Sequence, residues 1–127
     1  MNQKINTHRD LIAWQKAFEF GKLVYGLAGK LPDSERFGLV SALRRTAIAV
    51  ASQIAQGYGR GSTSEYIWHL KHARAELYQL DTQLQFAADF GYITQEMQES
   101  SKRSWEEVER VLGGLIRSVE RSGHSMS

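Results

Sequence analysis

Apolar residues recur every three or four positions along four stretches of this 127-residue chain. No stretch shows the sustained alternation of apolar and polar residues that predicts a β-strand. The four apolar stripes are formed by Leu11, Trp14, Phe18, Gly21, Tyr25 and Ala28; by Val40, Leu43, Ala47, Val50 and Ile54; by Ile67, Leu70, Ala73, Leu77, Leu80, Leu84 and Ala87; and by Met97, Ser101, Trp105, Val108, Leu112, Leu115 and Val119. Each stripe predicts an amphipathic helix that buries one face.

Local signals separate the first three helices. The only proline, Pro32, precedes Asp33, and the Asp33 side chain is predicted to cap the N-terminus of helix two. Gly57 is predicted to be the first residue beyond the end of helix two, and Gly59 and Gly61 are predicted to form the turn that follows. These residues therefore predict two short connections, one between helices one and two and one between helices two and three.

Helices three and four have recognisable starts. Ser62 and Glu65 have capping-box spacing, in which a hydroxyl and a carboxylate satisfy free backbone N–H groups, and Gly91 and Thr94 mark the next boundary. Short connections favour antiparallel neighbours. The sequence therefore predicts one all-α domain over residues 1–127, an oligomeric, antiparallel up-down-up-down four-helix bundle. Its expected segments are helices at about 8–30, 34–56, 63–89 and 94–121 and a frayed tail at 122–127.

Helix one carries a second apolar stripe, formed by Phe20, Leu23 and Leu27. A lone amphipathic helix needs only one such stripe, so we expect this one to form an oligomer interface; wide burial within the monomer is the alternative. In helix four, Gly113 and Gly114 interrupt the pattern, and each costs about 1 kcal/mol relative to alanine. Something is therefore expected to pack closely there.

The composition excludes several classes of function. The chain has no cysteine, which removes thiol chemistry, cysteine-ligated zinc and disulfides and fits a reducing compartment. Its apolar runs fall well short of the ~20 residues of a membrane span, and no signal-peptide pattern opens the chain. We expect a soluble, cytoplasmic, bacterial-type protein with no membrane partner and no cofactor.

Charge is sorted by region, although the net charge of the whole chain is only +2. Residues 36–74 carry six Lys or Arg and one acid, Glu65, which makes +5. Residues 75–110 carry eight acids and three bases, which makes −5. Such sorting indicates a partner or a self-association surface.

The basic segment supplies the candidate nucleic-acid-binding residues, which are Arg44, Arg45, Arg60, Lys71 and Arg74. On one surface they would contact phosphates with a salt-dependent affinity. The alternative is that they pair with the acidic segment, within the chain or across a subunit boundary. Trp68, near Lys71, is a candidate for stacking on an unpaired base or for anchoring an interface.

Two further patterns fail to predict a site. The glycine-rich loop at residues 57–63 lacks the preceding strand of a dinucleotide fold and the Gly-Lys-Ser/Thr of a Walker loop. A looser role stays open, in which Arg60 and the N–H groups at the start of helix three hold one phosphate of a polymer. Glu65, His69, His72 and Glu76 share one helical stripe, but that stripe lies off the core face, so we expect it to be solvated and expect no metal site. No grouping of catalytic residues converges, and we expect no enzyme.

Several segments together resemble a known family. They are Leu11-Ile12-Ala13-Trp14-Gln15-Lys16-Ala17, Glu35-Arg36-Phe37-Gly38-Leu39 with Leu43-Arg44-Arg45, Ser52-Gln53-Ile54-Ala55-Gln56-Gly57-Tyr58-Gly59-Arg60, and Leu115-Ile116-Arg117-Ser118. In this order and spacing the chain resembles, over about residues 8–121, the four-helix-bundle proteins encoded in intervening sequences of bacterial 23S ribosomal RNA genes. Gln53, Gln56 and Gly113 replace the Asn, Glu and Asn that are common in that family.

The resemblance implies a four-helix bundle and an oligomeric habit. A related family member, the accessory variability determinant of diversity-generating retroelements, implies a homopentamer that binds nucleic acid and a reverse transcriptase. Two functions therefore stay open for this chain. One is a non-catalytic oligomeric scaffold, with a pentamer favoured, that binds RNA or DNA. The alternative is a protein-interaction scaffold whose charged surfaces pair between subunits or with another protein.

Overall fold

The computed structural model describes the backbone of residues 4–126 and the side chains of residues 4–122. Over this range it contains four α-helices and two short 3-10 turns and no strand, which confirms the all-α prediction. The helices are α1 (Ile12–Ala28), α2 (Leu39–Gly59), α3 (Thr63–Asp89) and α4 (Gln95–Met126), and the 3-10 turns are His8–Asp10 and Asp33–Glu35. Helix α4 thus continues past residue 121, where the sequence predicts that the helix ends.

All four helices contribute to one apolar core. Helix α2 packs against α1 and α3, and α4 packs against α3 and α1. The largest fully buried apolar side chains are Val24, Leu43, Val50, Ile54, Leu70, Leu77, Leu80, Val108 and Leu112. Trp105 of α4 also donates its Nε1 hydrogen to the Leu77 carbonyl of α3, with 2.6 Å between the heavy atoms. Within the described residues, no helix is long and apolar enough to cross a membrane.

Helix α1 begins at Ile12, four residues later than predicted. Leu11 is extended, with φ −73° and ψ 125°, and so separates the helix from the preceding 3-10 turn. In that turn the Asp10 carboxylate accepts hydrogen bonds from the backbone N–H groups of Asn6 and Thr7, at 2.8 and 3.1 Å. These bonds hold the pKa of Asp10 below its usual value. Local capping therefore favours a separate turn here.

Helix α2 also begins later than predicted, at Leu39. Asp33 is not its N-cap, because Asp33 lies in a 3-10 turn. The Glu35 carboxylate does the capping: Oε1 accepts from the Leu39 N–H at 3.2 Å, and Oε2 accepts from the Tyr92 hydroxyl at 2.9 Å. The cap of α2 is thus joined to the connection between α3 and α4.

The starts of α3 and α4 are capped by the predicted residues. The Ser62 hydroxyl accepts from the Glu65 N–H at 3.2 Å, and the Thr94 hydroxyl accepts from the Met97 N–H at 3.1 Å. The Glu65 carboxylate pairs with Arg60 at 3.2 Å. Gly61, in the turn before α3, has φ +82°, a conformation that glycine adopts without steric strain.

The predicted oligomer interface on helix one is wrong for two of its three residues. Phe20 and Leu27 are 2% and 6% exposed and belong to the core, while Leu23 is half-buried against it. Helix α1 contacts α4 as well as α2, and this stripe faces α4, where Phe20 and Leu23 lie beside Val108. The stripe is buried within the single chain.

The close contact predicted at Gly113 and Gly114 is also wrong within the described residues. A Cβ built on Gly113 would meet only the Arg117 guanidinium, at 3.4 Å, and a Cβ on Gly114 would meet the same group at 3.9 Å. These are ordinary van der Waals distances to the mobile end of a long side chain. Packing in the described structure therefore does not require glycine at either position.

Candidate interaction groove

A groove of about 280 Å³ runs along the outer seam between α1 and α2. Trp14, Phe18 and Tyr25 stand along α1, and Ile48 faces them from α2. Phe18, Tyr25 and Ile48 are 43%, 45% and 56% exposed. The rings of Trp14 and Phe18 stack with their centroids 4.9 Å apart. The seam thus presents large apolar side chains to solvent in a fixed arrangement.

Small residues form the floor of this groove. Ala17 and Ala47 are buried, and Gly21 of α1 lies against the backbone of Ala47. A Cβ built on Gly21 would stand 3.1 Å from the Ala47 carbonyl oxygen, so a larger residue would push α1 away from α2. Ala51 continues the floor along α2. Because the residues at the base of the groove are small and those along its sides are large, the groove has room for apolar groups from another molecule.

A Lys or Arg side chain lies over each of the three aromatic rings that α1 contributes to the groove, those of Trp14, Phe18 and Tyr25. The Arg9 guanidinium lies 5.6 Å from the Trp14 ring centroid, and the Lys22 ammonium lies 5.1 Å from that of Phe18. These distances are within the range of cation–π attraction. We call Arg9, Lys22 and Arg44 the basic rim.

Arg44 makes the tightest contact of the basic rim. Its guanidinium lies 4.4 Å from the Tyr25 ring centroid, and its Nε donates a hydrogen bond to the Tyr25 carbonyl at 3.2 Å. The guanidinium also covers Gly29, where a Cβ would come within 3.1 Å of Nη2. Two contacts with Tyr25 of α1 and one with Gly29, the residue after α1, therefore fix the position of this side chain on α2.

The five cations predicted to bind nucleic acid do not share one face. Arg44 lies at the seam between α1 and α2. Lys71 lies at the seam between α3 and α4, where its Nζ is 3.2 Å from a Glu120 carboxylate oxygen. Arg60 pairs with Glu65 beside the turn before α3. Three of the five are thus held by different parts of the chain.

Arg45 and Arg74 differ from the other three predicted cations in their surroundings. Arg45 is exposed and Arg74 is half-buried, and neither takes part in an ion pair within residues 4–122. Over the same residues, none of the five predicted cations pairs with an acid of the 75–110 segment. The acids that hold Arg60 and Lys71 lie outside that segment.

Trp68 is 55% exposed at the first third of α3. Its ring stacks on His72, with centroids 4.0 Å apart, and meets the edge of His69 at 4.8 Å. His69 is only 7% exposed, and its Nδ1 lies 2.7 Å from the Gln53 side-chain oxygen. The expectation of a solvated Glu-His stripe is therefore wrong for His69, because α2 covers it. Among the described residues, no three His, Asp or Glu side chains form a group that could hold a metal ion.

Sequence reasoning missed the groove because it assigned Trp14, Phe18 and Tyr25 to the core. A signal for the groove was present in the composition of α2. The stretch of α2 that faces these aromatics offers chiefly alanine and serine, apart from Ile48. Side chains that small cannot cover three aromatic rings.

Over the described residues, the fold and the groove define a small all-α protein of four packed helices with an apolar seam between α1 and α2. The family model described as 23S rRNA-intervening sequence protein matches residues 9–114. The chain belongs to this family, as the resemblance of its motifs predicted. The matched range includes every residue of the groove and of the basic rim. No curated protein matches the chain.

Proposed function

We propose that this protein is a non-catalytic interaction scaffold whose groove between α1 and α2 binds a helical segment of another protein. The observation that carries the proposal is that Phe18, Tyr25 and Ile48 stay exposed around a floor of small residues. Covering these side chains would remove apolar surface from water, which favours association. Exposed apolar patches of this kind mark interaction sites more often than they mark passive surface.

The spacing of the wall residues favours a helix as the occupant. Trp14, Phe18, Gly21 and Tyr25 step by four, three and four residues, as the seam positions of packed helices do. From Trp14 to Tyr25 the wall spans about 16 Å at the rise of an α-helix. An amphipathic helix of about three turns fits this length and would insert its side chains at i, i+3 or i+4, and i+7.

We also infer that the four helices form an antiparallel bundle. Gln83 of α3 donates to the Thr46 hydroxyl of α2 at 3.1 Å, whereas Gln53, further along α2, meets His69, earlier in α3. Residue numbers therefore rise along α2 as those of its contacts in α3 fall. This order supports the up-down arrangement. Across the groove, Gly21 lies against Ala47, whereas Tyr25, further along α1, meets Arg44, earlier in α2, which supports antiparallel walls there as well.

Self-association into a homo-oligomer, with a pentameric ring favoured, remains part of the proposal. Because Phe20 and Leu27 are buried, the contact between subunits would use other side chains. Tyr78, Phe86 and Phe90 on and just beyond α3 are 51%, 53% and 57% exposed and are candidates outside the groove, as is Phe37, which is 90% exposed. Native mass spectrometry of the wild type and of Phe86→Asp tests this assembly; a monomeric wild type at about 10 µM contradicts it.

Binding of RNA or DNA is a second candidate function, supported by Arg45 and Arg74 on neighbouring helices. If these side chains contact phosphates, a filter-binding assay at about 50 mM salt should give an affinity that falls steeply as salt is raised. Arg45→Glu and Arg74→Glu should each weaken it, while Lys16→Glu on α1 serves as the charge-matched control. Absence of binding to both duplex and single-stranded probes at low salt contradicts this function. A reverse transcriptase, implied by family resemblance, is the protein partner to test beside it.

The groove function is tested by crosslinking in the cell that makes the protein. A photo-crosslinking amino acid at position 48 lies in the groove, and the same group at position 45 lies on the same helix outside the groove. The proposal predicts a crosslink from position 48 that maps to one helical segment of a specific protein and is absent at position 45. Identical products from the two positions, or none from position 48, contradict it.

A further inference from the structure

Among residues 4–122, the lining of the α1/α2 groove contains no carboxylate, and its one charged member is Lys22. Helices α1 and α2 together carry four Lys or Arg and a single acid, Glu19. Glu19 pairs with Lys22 at 3.0 Å and lines the depression on the opposite, α4-facing side of α1. The groove is thus lined by apolar side chains, and the charged side chains of its basic rim are all positive.

From this charge pattern we propose that the occupant of the groove is an acidic amphipathic helix of a partner protein, whose Asp or Glu side chains pair with the basic rim. The inference rests on the interaction function proposed above and specifies the chemistry of the partner. Apolar side chains of that helix fill the groove, and its flanking carboxylates meet the cations at the edge.

The basic rim is positioned to receive carboxylates. The Nε of Arg44 is used by the Tyr25 carbonyl, which leaves the two terminal nitrogens of a fixed guanidinium as donors. A planar guanidinium of this kind binds a carboxylate through two parallel hydrogen bonds. Holding the cation over an aromatic ring before binding also reduces the side-chain entropy lost when the pair forms.

The rim also implies a spacing for the acids. Its three cations lie over Trp14, Phe18 and Tyr25, which follow one another by four and then seven residues. Along a helix axis these steps are about 6 Å and about 10 Å. A bound helix lying along the groove would therefore place acids about one turn and then two turns apart, beside its apolar stripe. This pattern separates the expected partner from a generally acidic polymer.

The test uses a labelled helical peptide of about 14 residues with leucines at i, i+3 and i+7 and three glutamates at the spacing above. A second peptide replaces the glutamates with glutamine, and a third replaces them with lysine. Fluorescence anisotropy with the full chain at about 50 mM salt should show the glutamate peptide binding about tenfold more tightly than the glutamine peptide. Raising the salt to about 500 mM should remove most of this difference.

Charge reversal at Lys22 identifies the site. Lys22→Glu should remove the preference for the glutamate peptide and favour the lysine peptide, whereas the matched control Lys102→Glu, at an exposed position on α4 outside the groove, should leave the preference unchanged. Circular dichroism verifies that both variants are helical. Equal binding of the glutamate and glutamine peptides by the wild type, or an unchanged preference in Lys22→Glu, overturns the inference.

Other occupants give different results. A single-stranded or duplex RNA that displaces the peptide through Lys22 would assign the rim to nucleic acid and overturn the inference. An oligomer that Lys22→Glu dissociates would assign the groove to a second copy of this chain, with the same consequence. If all three peptides bind equally and Ile48→Asp abolishes all binding, the groove function stands and only the acidic partner is lost. If no peptide binds and position 48 gives no crosslink, the proposed function itself fails.

Discussion

Gly57 of α2 lies directly against His69 of α3: a Cβ built on Gly57 would stand 2.7 Å from the His69 Cβ and 3.2 Å from the Tyr66 ring. Real Cβ atoms do not approach this closely, so an alanine would force the two helices apart. The prediction that Gly57 ends helix two is wrong, because α2 continues to Gly59. The residue is a packing glycine inside a helix, and it allows His69 to reach Gln53.

Gly57→Ala should therefore destabilise the protein although alanine is the better helix former. The gain in helix propensity is about 1 kcal/mol, and overpacking at a rigid contact costs about 1–3 kcal/mol, so we expect a net loss of up to about 2 kcal/mol in urea unfolding. Gly59→Ala is the matched control, since a Cβ there meets nothing within 4 Å. It should leave the free energy of unfolding unchanged or raise it. Equal effects at the two positions would contradict the packing role.

The presence and order of the helices were predictable from the sequence because buried positions repeat at helical spacing. Helix starts were predictable at Ser62 and Thr94, where a short polar side chain supplies the missing acceptor. The start of α2 was not, because its cap comes from Glu35, which Tyr92 holds from a distant part of the chain. Capping within one turn can be predicted from local sequence, whereas capping fixed by tertiary contacts cannot.

Truncation should cost much more stability at Phe20 than at Phe18, because Phe20 is 2% exposed and Phe18 is 43% exposed. Phe20→Ala removes a core side chain and should cost about 3–5 kcal/mol of stability. Phe18→Ala loses the stacking contact with Trp14 and should cost less than about 1.5 kcal/mol. Chemical denaturation of the two variants measures the difference. If Phe20→Ala were well folded but changed only the oligomeric state, the original assignment of Phe20 to a subunit interface would be restored.

The face of α1 was mispredicted because both of its apolar stripes have helical spacing. Periodicity alone cannot rank Phe18 against Phe20, since either can face a core. What decides between them is that α1 packs against both α2 and α4, while the side that carries Phe18 and Tyr25 is exposed. That choice depends on side-chain volumes across the seam. Ala47 and Ala51 fill little space beside Phe18, whereas Val108 packs beside Phe20.

Alanine at Gly113 and Gly114 should stabilise the chain. Each substitution gains about 1 kcal/mol of helix propensity, and among the described side chains the new methyl group would meet only the Arg117 guanidinium, which can move. The double variant should therefore raise the midpoint of thermal unfolding. Native mass spectrometry of the same variant is the control for a role outside the single chain. Loss of stability together with loss of an oligomer would show that the glycines serve a contact between subunits.

The candidate site was only partly predictable, because the partners of its cations come from other parts of the chain. Arg44, Arg60 and Lys71 are close in a charge plot, but their partners are Tyr25, Glu65 and Glu120. Two of these partners come from helices that lie far away in sequence. Regional charge predicts that cations are abundant, but it does not predict which seam each one occupies. The role of Arg44 in the groove became visible only when α1 was placed beside it.

Stability should fall at alkaline pH because of Tyr66. Burial, with a smaller contribution from neighbouring Tyr58, raises the pKa of Tyr66 to about 12 in the folded chain. An unfolded tyrosine has a pKa of about 10. Above that pH the unfolded state loses the proton first, so the stabilising contribution is fully present below about pH 10 and is lost as the pH rises towards 12.

Urea unfolding at about pH 8, 10 and 11 should show this decline in the wild type and a shallower one in Tyr66→Phe. Tyr92 contributes with the same sign, because its hydrogen bond to Glu35 also raises its pKa. The double variant Tyr66→Phe, Tyr92→Phe should therefore have the weakest pH dependence of the three proteins. An undiminished decline in Tyr66→Phe would mean that the Tyr66 hydroxyl ionises as readily in the folded chain as in the unfolded one, and the alkaline loss of stability would then belong to other groups.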